Sequence, residues 1–490
     1  MSDRVVALTV IAVIVGVSAV VGVIAGSRRK MDLEQWTVAG RGFGIVLVWL
    51  LMAGEVYTTF TFLGASGWAY SRGGPVLYIL AYQPLVYVVS FYIVPFLWEA
   101  GKKYGLQTQA DFFRARYGNR HLEALVALIG VVFILPYLQL QLTGLGLIVE
   151  VASYGGVTRI PAMVIAFTIV AAFVLISGVR GAAWVSVVKD ILLLFAALIV
   201  GIAIPYRYFG GVGAMFRAVA ASHPGHLVMP GATQNLGHSW FVSTVFMTAL
   251  AFFMWPQYVS AGFTARSGDV LRRNAVVMSL YSITLPLMFF VGFTALLALP
   301  GLANGDMALL TIVRKTFPAW FLGIIGGAGA LTAMVPAAVQ ILAAATLFSK
   351  NFCRPMFARE MSDTVVAKLA KVSVVGFTAL ALAFAIFSST SLVSLLLLGY
   401  AGIAQFFPGV VLGLFTKRVR MAGVFSGMVC GIALVAFLVL TKRDPLFGLN
   451  AGFIGLGLNF AVIGMVSWAR PAEASGFAER VVLPWPEEVA

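Results

Sequence analysis

Long apolar runs recur along the chain, separated by short segments that hold nearly all of its charge. Residues 5–26 read VVALTVIAVIVGVSAVVGVIAG, with no charged side chain. A run of this kind predicts a helix crossing a hydrocarbon core about 30 Å thick, which takes about 20 residues. The pattern repeats thirteen times, over 5–26, 43–70, 76–98, 122–153, 159–180, 183–206, 240–262, 274–299, 318–348, 370–388, 391–415, 421–440 and 448–469. Several of these runs are longer than a perpendicular crossing needs, which predicts tilted or interrupted helices. The fold class is therefore an all-α polytopic membrane protein, one membrane domain over 1–490.

Composition fits that class. Of 490 residues, 61% are hydrophobic and 10% charged, with mean hydropathy +0.98. Soluble domains carry about a quarter charged residues, so this chain has too few to cover a water-facing surface. The formal charge of +15 would suggest nucleic acid in a soluble protein. Here the basic residues fall in short loops between apolar spans, so topology accounts for them and no nucleic-acid partner is expected. Cys353 and Cys430 are too few for a disulfide framework and have no metal-ligand spacing. His121, His223, His226 and His238 all fall in predicted loops, so no metal site is expected.

The Arg28-Arg29-Lys30 cluster follows the first span instead of preceding it, which predicts a retained signal-anchor with its N-terminus outside. With thirteen spans, that orientation puts 24 Lys and Arg on the cytoplasmic side and 9 outside, as the positive-inside rule favours. The tail 470–490 is then cytoplasmic, and it is too short for an output domain.

Some spans break the rules of an ordinary helix. The second reads GIVLVWLLMAGEVYTTFTFLGASGWAY and carries Gly54, Glu55, Tyr57, Thr58 and Thr59 at mid-membrane depth. An ionised acid there costs ~2.5–3.5 kcal/mol on insertion scales, and Gly with β-branched Thr favours unwinding. Irregular backbone at this depth is tolerated only against protein or a wet cavity. Read structurally, the segment would be a capped kink with Glu55 bonded to a neighbour. The seventh span has Pro256 at its middle, followed by Gln257, and proline kinks a helix by freeing a carbonyl. Two interrupted helices five spans apart predict two inverted five-helix repeats with a binding site between the breaks.

Three other spans carry polar residues. In the ninth, Pro336 would free the carbonyl of Thr332 for an ion, while its glycines and alanines would also suit close helix packing. In the sixth, Lys189 and Asp190 lie two turns inside. Neighbouring helix positions point about 100° apart, so the two are not expected to face each other, and Lys189 would snorkel toward the cytoplasm. Asp190 needs a partner or water. In the fourth, FILPYLQLQLTGLG places Tyr137, Gln139, Gln141 and Thr143 in apolar sequence, as ligand contacts or as glue between helices.

The segments WLLMAGEVYTTFTFLGASGWAY, QADFFRARYG, GVRGAAW and PQYVSAGFTARSGDVLRRNA resemble the solute:sodium symporter family over roughly residues 30–470. Within it, GEVYTTFTFLG, LPYLQLQLTG, VVKDILLL and GIAQFFPGVVLGLF resemble the bacterial monocarboxylate permeases. The resemblance implies a leucine-transporter-type core of two inverted repeats, 43–206 and 240–415. The first helix (5–26) and helices 12–13 (421–469) would then be peripheral. It also implies thirteen helices with the N-terminus outside.

One departure bears on coupling. Sodium-coupled members carry adjacent hydroxyl residues in the ninth span; aligned on Gln340, those positions here are Val335 and Pro336. The usual acid of the sixth span falls at Ser186, with Asp190 one turn later. These replacements argue against sodium, and Glu55 offers a proton site instead. The expected activity is uptake of a short-chain monocarboxylate such as lactate, pyruvate or acetate by a secondary symporter in a bacterial inner membrane, with no cofactor and with H+ as coupling ion (Na+ as the alternative). Candidate substrate contacts are Tyr57, Thr58, Thr59, Gln141, Trp255, Gln257 and Tyr400. Candidate coupling residues are Glu55, Thr332, Asp190 and Lys189, and the expected helix breaks are Gly54, Pro256 and Pro336. The alternative is sodium-coupled uptake of an amino acid, sugar or other small solute. A sensor on a transporter fold lacks an output domain, and no enzyme motif such as HExxH or GxSxG occurs. Lipid is the expected surroundings, and the sequence leaves the oligomeric state open.

Overall fold

The computed structural model describes residues 2–27, 38–358, 360–387 and 390–468. Helices account for almost all of it. In chain order they are α1 (Asp3–Ser27), α2 (Ile45–Val56), α3 (Ala65–Ser71), α4 (Tyr78–Tyr104), α5 (Gln109–Tyr117), α6 (Arg120–Ala152), α7 (Arg159–Phe209), α8 (Val212–Ser222), α9 (His238–Ala251) and α10 (Pro256–Phe263). They continue with α11 (Gly268–Tyr281), α12 (Thr284–Ala298), α13 (Ala308–Thr316), α14 (Ala319–Thr346), α15 (Asp363–Phe387), α16 (Leu392–Ile403), α17 (Phe407–Phe415), α18 (Met421–Leu440) and α19 (Ala451–Trp468). Arg28, Arg29, Lys30 and the tail 470–490 lie outside the described residues.

Among the described residues ten helical stretches are long and apolar enough to cross a membrane, and two bent pairs bring the number to twelve. The expected count was thirteen. The difference lies in α7, where the predicted spans 159–180 and 183–206 form one helical run of 51 residues. At 1.5 Å per residue that run is ~76 Å long, enough for two crossings. Several helices also extend past their apolar runs: α11 starts at Gly268 instead of 274, and α15 at Asp363 instead of 370. His121 and His238, expected in loops, lie in the first turns of α6 and α9.

Burial separates centre from edge. In the stretch Ala319–Phe357, which contains α14, 94% of the most apolar window is buried; in α1 the figure is 22%, in α18 39% and in α19 33%. The outer faces of these edge helices carry Val13, Val17, Leu440 and Met465, side chains that suit lipid. Small residues explain the central position of α14. A Cβ on Gly326 would meet Ile11, and one on Gly329 would meet Phe62 and Ile148, so glycines bring α14 close to three neighbours.

The two bent pairs are α2 with the segment Phe60–Ser71, at 53°, and His238–Met254 with α10, at 48°. Their flanking chains are tied together. Phe43 N–H donates to the Thr264 carbonyl at 2.9 Å, and Arg266 N–H donates to the Phe43 carbonyl at 3.0 Å, a parallel bridge of Phe43 with Ala265. The start of one bent pair is therefore held against the end of the other.

Candidate functional site

The first break falls just after Glu55. Helix α2 ends at Val56, and Tyr57 leaves helical geometry with φ −94° and ψ 85°. The Thr58 hydroxyl accepts from Phe60 N–H at 3.2 Å, a local bond that starts the next turn, and a π-helical turn over Phe60–Gly64 leads into α3. Gly54, expected to be the break, lies inside α2. Its lack of a side chain serves packing: a Cβ there would sit 2.5 Å from Ser186 Oγ and 3.5 Å from Val335 Cγ1. Gly144 plays the same part for Thr59, whose methyl group fills the place of a Cβ on α6.

The second break falls where Pro256 predicted it. Trp255 is extended, with φ −61° and ψ 132°, and Pro256 is the first residue of α10, where its missing N–H costs nothing. The ninth span behaves differently. Pro336 does not break α14, which runs unbroken from Ala319 to Thr346. The Thr332 hydroxyl donates to the Gly329 carbonyl at 2.7 Å, so it is engaged within its own helix.

A helix end leaves its last carbonyls without helical partners and carries a partial negative charge. At the end of α2 carbonyl oxygens find donors on other helices, that of Ala53 in addition to the Tyr57 N–H of its own turn. The Glu55 carbonyl accepts from Tyr258 Oη of α10 at 2.5 Å and from Tyr137 Oη of α6 at 3.2 Å. Lys189 Nζ of α7 lies 3.4 Å from the Ala53 carbonyl, 3.2 Å from that of Gly54 and 3.0 Å from that of Tyr57. Lys189 is fully buried, so it does not snorkel. Nor do Lys189 and Asp190 diverge: Nζ lies 2.9 Å from Asp190 Oδ1, in a charge pair not aligned as a hydrogen bond. The 100° rule describes where side chains leave the helix, and the long Lys stem bends back.

On the broken helices and on α6 and α14, polar side-chain atoms are buried without hydrogen-bond partners among the described residues. They include both carboxyl oxygens of Glu55, the Tyr57 hydroxyl, Trp255 Nε1, Gln141 Nε2, and both amide atoms of Gln257 and of Gln340. Gln141 is anchored at its other end, where Thr59 Oγ1 donates to Oε1 at 2.7 Å. The Trp255 ring lies 5.0 Å from that of Tyr137 and 5.4 Å from that of Tyr400. Hydrogen bonds and ring contacts thus link Glu55, Tyr137, Trp255 and Tyr400, and a separate bond links Thr59 to Gln141. Thr58 stays with its own turn. Tyr258 and Gln340 were not among the expected site residues. Gln340 follows Pro336 by four positions in an otherwise apolar helix, a signal that could have marked it.

Other cavities lie apart from the breaks. A groove of about 730 Å³ runs between α4 and α11–α12, lined by Gln83, Pro84, Tyr87, Val276 and Ser279, with exposed Val88 and Tyr92 at its rim. A polar cluster elsewhere joins α5, α6 and the π-helical turn Leu347–Cys353. In it Asp111 accepts from Lys350 and Asn351, each at 2.7 Å, and Asn351 also donates to Glu123 at 2.8 Å. Burial alone would raise the Asp111 carboxyl, but the Lys350 charge and these bonds hold it below its ordinary range. Among the described residues no group of three or more His, Cys, Asp or Glu could hold a metal ion.

The family model for the sodium:solute symporter family matches residues 36–431. The chain belongs to this family. The symporter is 42% identical over 487 residues to the uncharacterised symporter YhjB of Bacillus subtilis, covering 97% of this chain and 99% of that one. It is 31% identical over 474 residues to a monocarboxylate transport permease protein of Rhizobium johnstonii, covering 93% and 95%. Among solved structures it is similar to a substrate-bound, outward-open Na+-coupled sialic acid symporter, with TM-score 0.79 at 17% identity over 96% of this chain and 99% of that one. It is also similar to a nucleobase-cation-symport-1 family transporter in a closed conformation, with TM-score 0.58 at 15% identity, covering 91% and 97%. These likenesses establish a leucine-transporter-like fold and a multi-pass membrane protein whose relatives are transporters.

Proposed function

We propose that this symporter takes up short-chain monocarboxylates, such as lactate, pyruvate or acetate, together with protons across a bacterial inner membrane. The observation that carries this reading is the set of unpartnered donors beside the two helix breaks. A carboxylate only accepts hydrogen bonds. Trp255 Nε1, Gln141 Nε2, Gln257 Nε2 and the Tyr57 hydroxyl are buried donors without acceptors among the described residues. A buried donor left unmade costs about 1–3 kcal/mol, so a bound anion offering two oxygens would be favoured there. The monocarboxylate permease relative supports the same substrate class.

Coupling follows from the same residues. The Glu55 carboxyl is fully buried and has no hydrogen-bond donor among the described residues, so an ionised Glu55 would have only the nearby Lys189 charge, and no hydrogen bond, to offset its burial. It takes a proton from the side on which the anion arrives and releases it on the other. Val335 and Pro336 offer no side-chain oxygen at the two positions where the family resemblance implies hydroxyls for sodium, which supports H+ over Na+. Thirteen helices, the N-terminus outside and two inverted repeats over 43–206 and 240–415 complete the reading. Tyr400 borders the substrate through Trp255.

The test is uptake of radiolabelled lactate and pyruvate into proteoliposomes under an inward proton gradient or an inward sodium gradient. Accumulation with protons alone is the expected result. Accumulation only with sodium would transfer coupling to the alternative ion, and no uptake under either would overturn the substrate class.

A further inference from the structure

Four oxygens surround the Lys189 ammonium: the carbonyls of Ala53, Gly54 and Tyr57, at 3.0–3.4 Å, and Asp190 Oδ1 at 2.9 Å. An ammonium has three N–H donors and no acceptor. A neutral amine would turn its lone pair toward one of these oxygens, so the arrangement suits the cation. Three of the four oxygens belong to the broken end of α2 and the residue after it, where the helix dipole is negative and a positive charge is favoured. The other elements at this point supply little that could hold a free ion. Val335 of α14 faces Gly54 with a methyl group, and the Ser186 hydroxyl of α7 donates to the Ala182 carbonyl at 3.0 Å.

We propose that Lys189 is a tethered cation: its ammonium holds the broken end of α2 against α7 in place of a free metal cation, with Asp190 as its counter-ion. This rests on the chain being a coupled symporter and not on the monocarboxylate reading. The four-carbon stem of the lysine is what carries the charge from α7 to the end of α2. The cation at this point is thereby a fixed part of the chain, no ion-binding step takes place here, and sodium has no place to act.

The test is the thermal stability of the purified full-length chain, with sodium chloride exchanged for choline chloride at constant ionic strength. The parent is expected to melt at the same temperature in both salts. Lys189→Ala is expected to melt lower, and methylammonium chloride to raise its Tm by ~2 °C or more where tetramethylammonium does not, because the vacated cage admits only the small primary cation. Val335→Ser, which adds an oxygen but keeps the lysine, is expected to stay insensitive to sodium. A Tm that rises with sodium in the parent or in Val335→Ser would overturn the proposal, since the cage would then be open to a free ion. So would a Lys189→Ala protein as stable as the parent. If Lys189→Ala does not fold, the Val335→Ser result decides. None of these readouts uses a transported substrate, so a wrong substrate class shows only in the uptake assay.

Discussion

The Lys189 ammonium lies 3.0 Å from the carbonyl oxygen of Tyr57, the residue at which α2 stops being a helix. One side chain of α7 thereby reads the break in another helix, and it carries Asp190 with it. Removing the lysine alone leaves Asp190 buried and unpaired, which costs about 3–5 kcal/mol. Removing both charges costs less than the sum of the two changes. Lys189→Met, Asp190→Asn and the double variant, compared by denaturant or thermal unfolding, are expected to show a coupling energy of about 1–3 kcal/mol. Additive effects would mean that the pair acts as two separate groups.

Glu55→Gln keeps the size of the side chain and removes the titratable proton. Accumulation driven by a pH gradient is expected to fall at least tenfold. Substrate exchange at equal pH on both sides is expected to persist, because binding and the change of access remain. Parental accumulation in the variant would make Glu55 a structural residue.

Gly144 gives way to the methyl group of Thr59. Gly144→Ala forces the two apart and displaces the Thr59 hydroxyl from Gln141; overpacking of this kind costs about 1–3 kcal/mol. Thr59→Ser removes the methyl and keeps the hydroxyl. The double variant Gly144→Ala with Thr59→Ser is therefore expected to recover stability and uptake that Gly144→Ala alone loses. Failure of the second change to restore either would show that the contact is not what Gly144 serves.

Asp306 lies between helices, away from the breaks, and its Oδ2 accepts from Leu392 N–H at 3.0 Å. Burial pushes its carboxyl up to about 6, against the opposing effects of that bond and of Arg159. The folded chain then binds more protons than the unfolded chain between pH ~4 and ~6. The contribution of Asp306 to stability is therefore greatest below that window and is lost as pH rises through it, by up to about 3 kcal/mol. Asp306→Asn keeps an oxygen for Leu392 and removes the titration. Thermal unfolding from pH 4 to 7 is expected to be flatter in the variant, and a slope equal to the parent's would assign the dependence to another group.

Much of this architecture is legible in the residues themselves. Glu55 and Pro256 stand out because each violates what a lipid-spanning helix tolerates, and both breaks fall within three residues of them. Gly54 and Pro336 looked like the same signal and were not. A glycine in a helix weakens it, but here the missing side chain makes room for Ser186, and tight packing on all sides carries α14 through its proline. The sequence predicts separate fifth and sixth spans over 159–180 and 183–206, and the structure runs one helix through both. Lys189 was misplaced for another reason: helix spacing fixes where a side chain begins, not where a four-carbon stem ends. Tyr258 gave no signal, since its hydroxyl matters only once α10 lies across the Glu55 carbonyl, a contact 203 residues apart in the chain.

The most direct test of proton-coupled monocarboxylate uptake is the pH inside sodium-free proteoliposomes when lactate is added outside. Proton symport predicts that the interior acidifies faster than in protein-free liposomes, and that Glu55→Gln removes the difference. An interior pH no different from that of empty liposomes, or acidification that requires sodium, would contradict it.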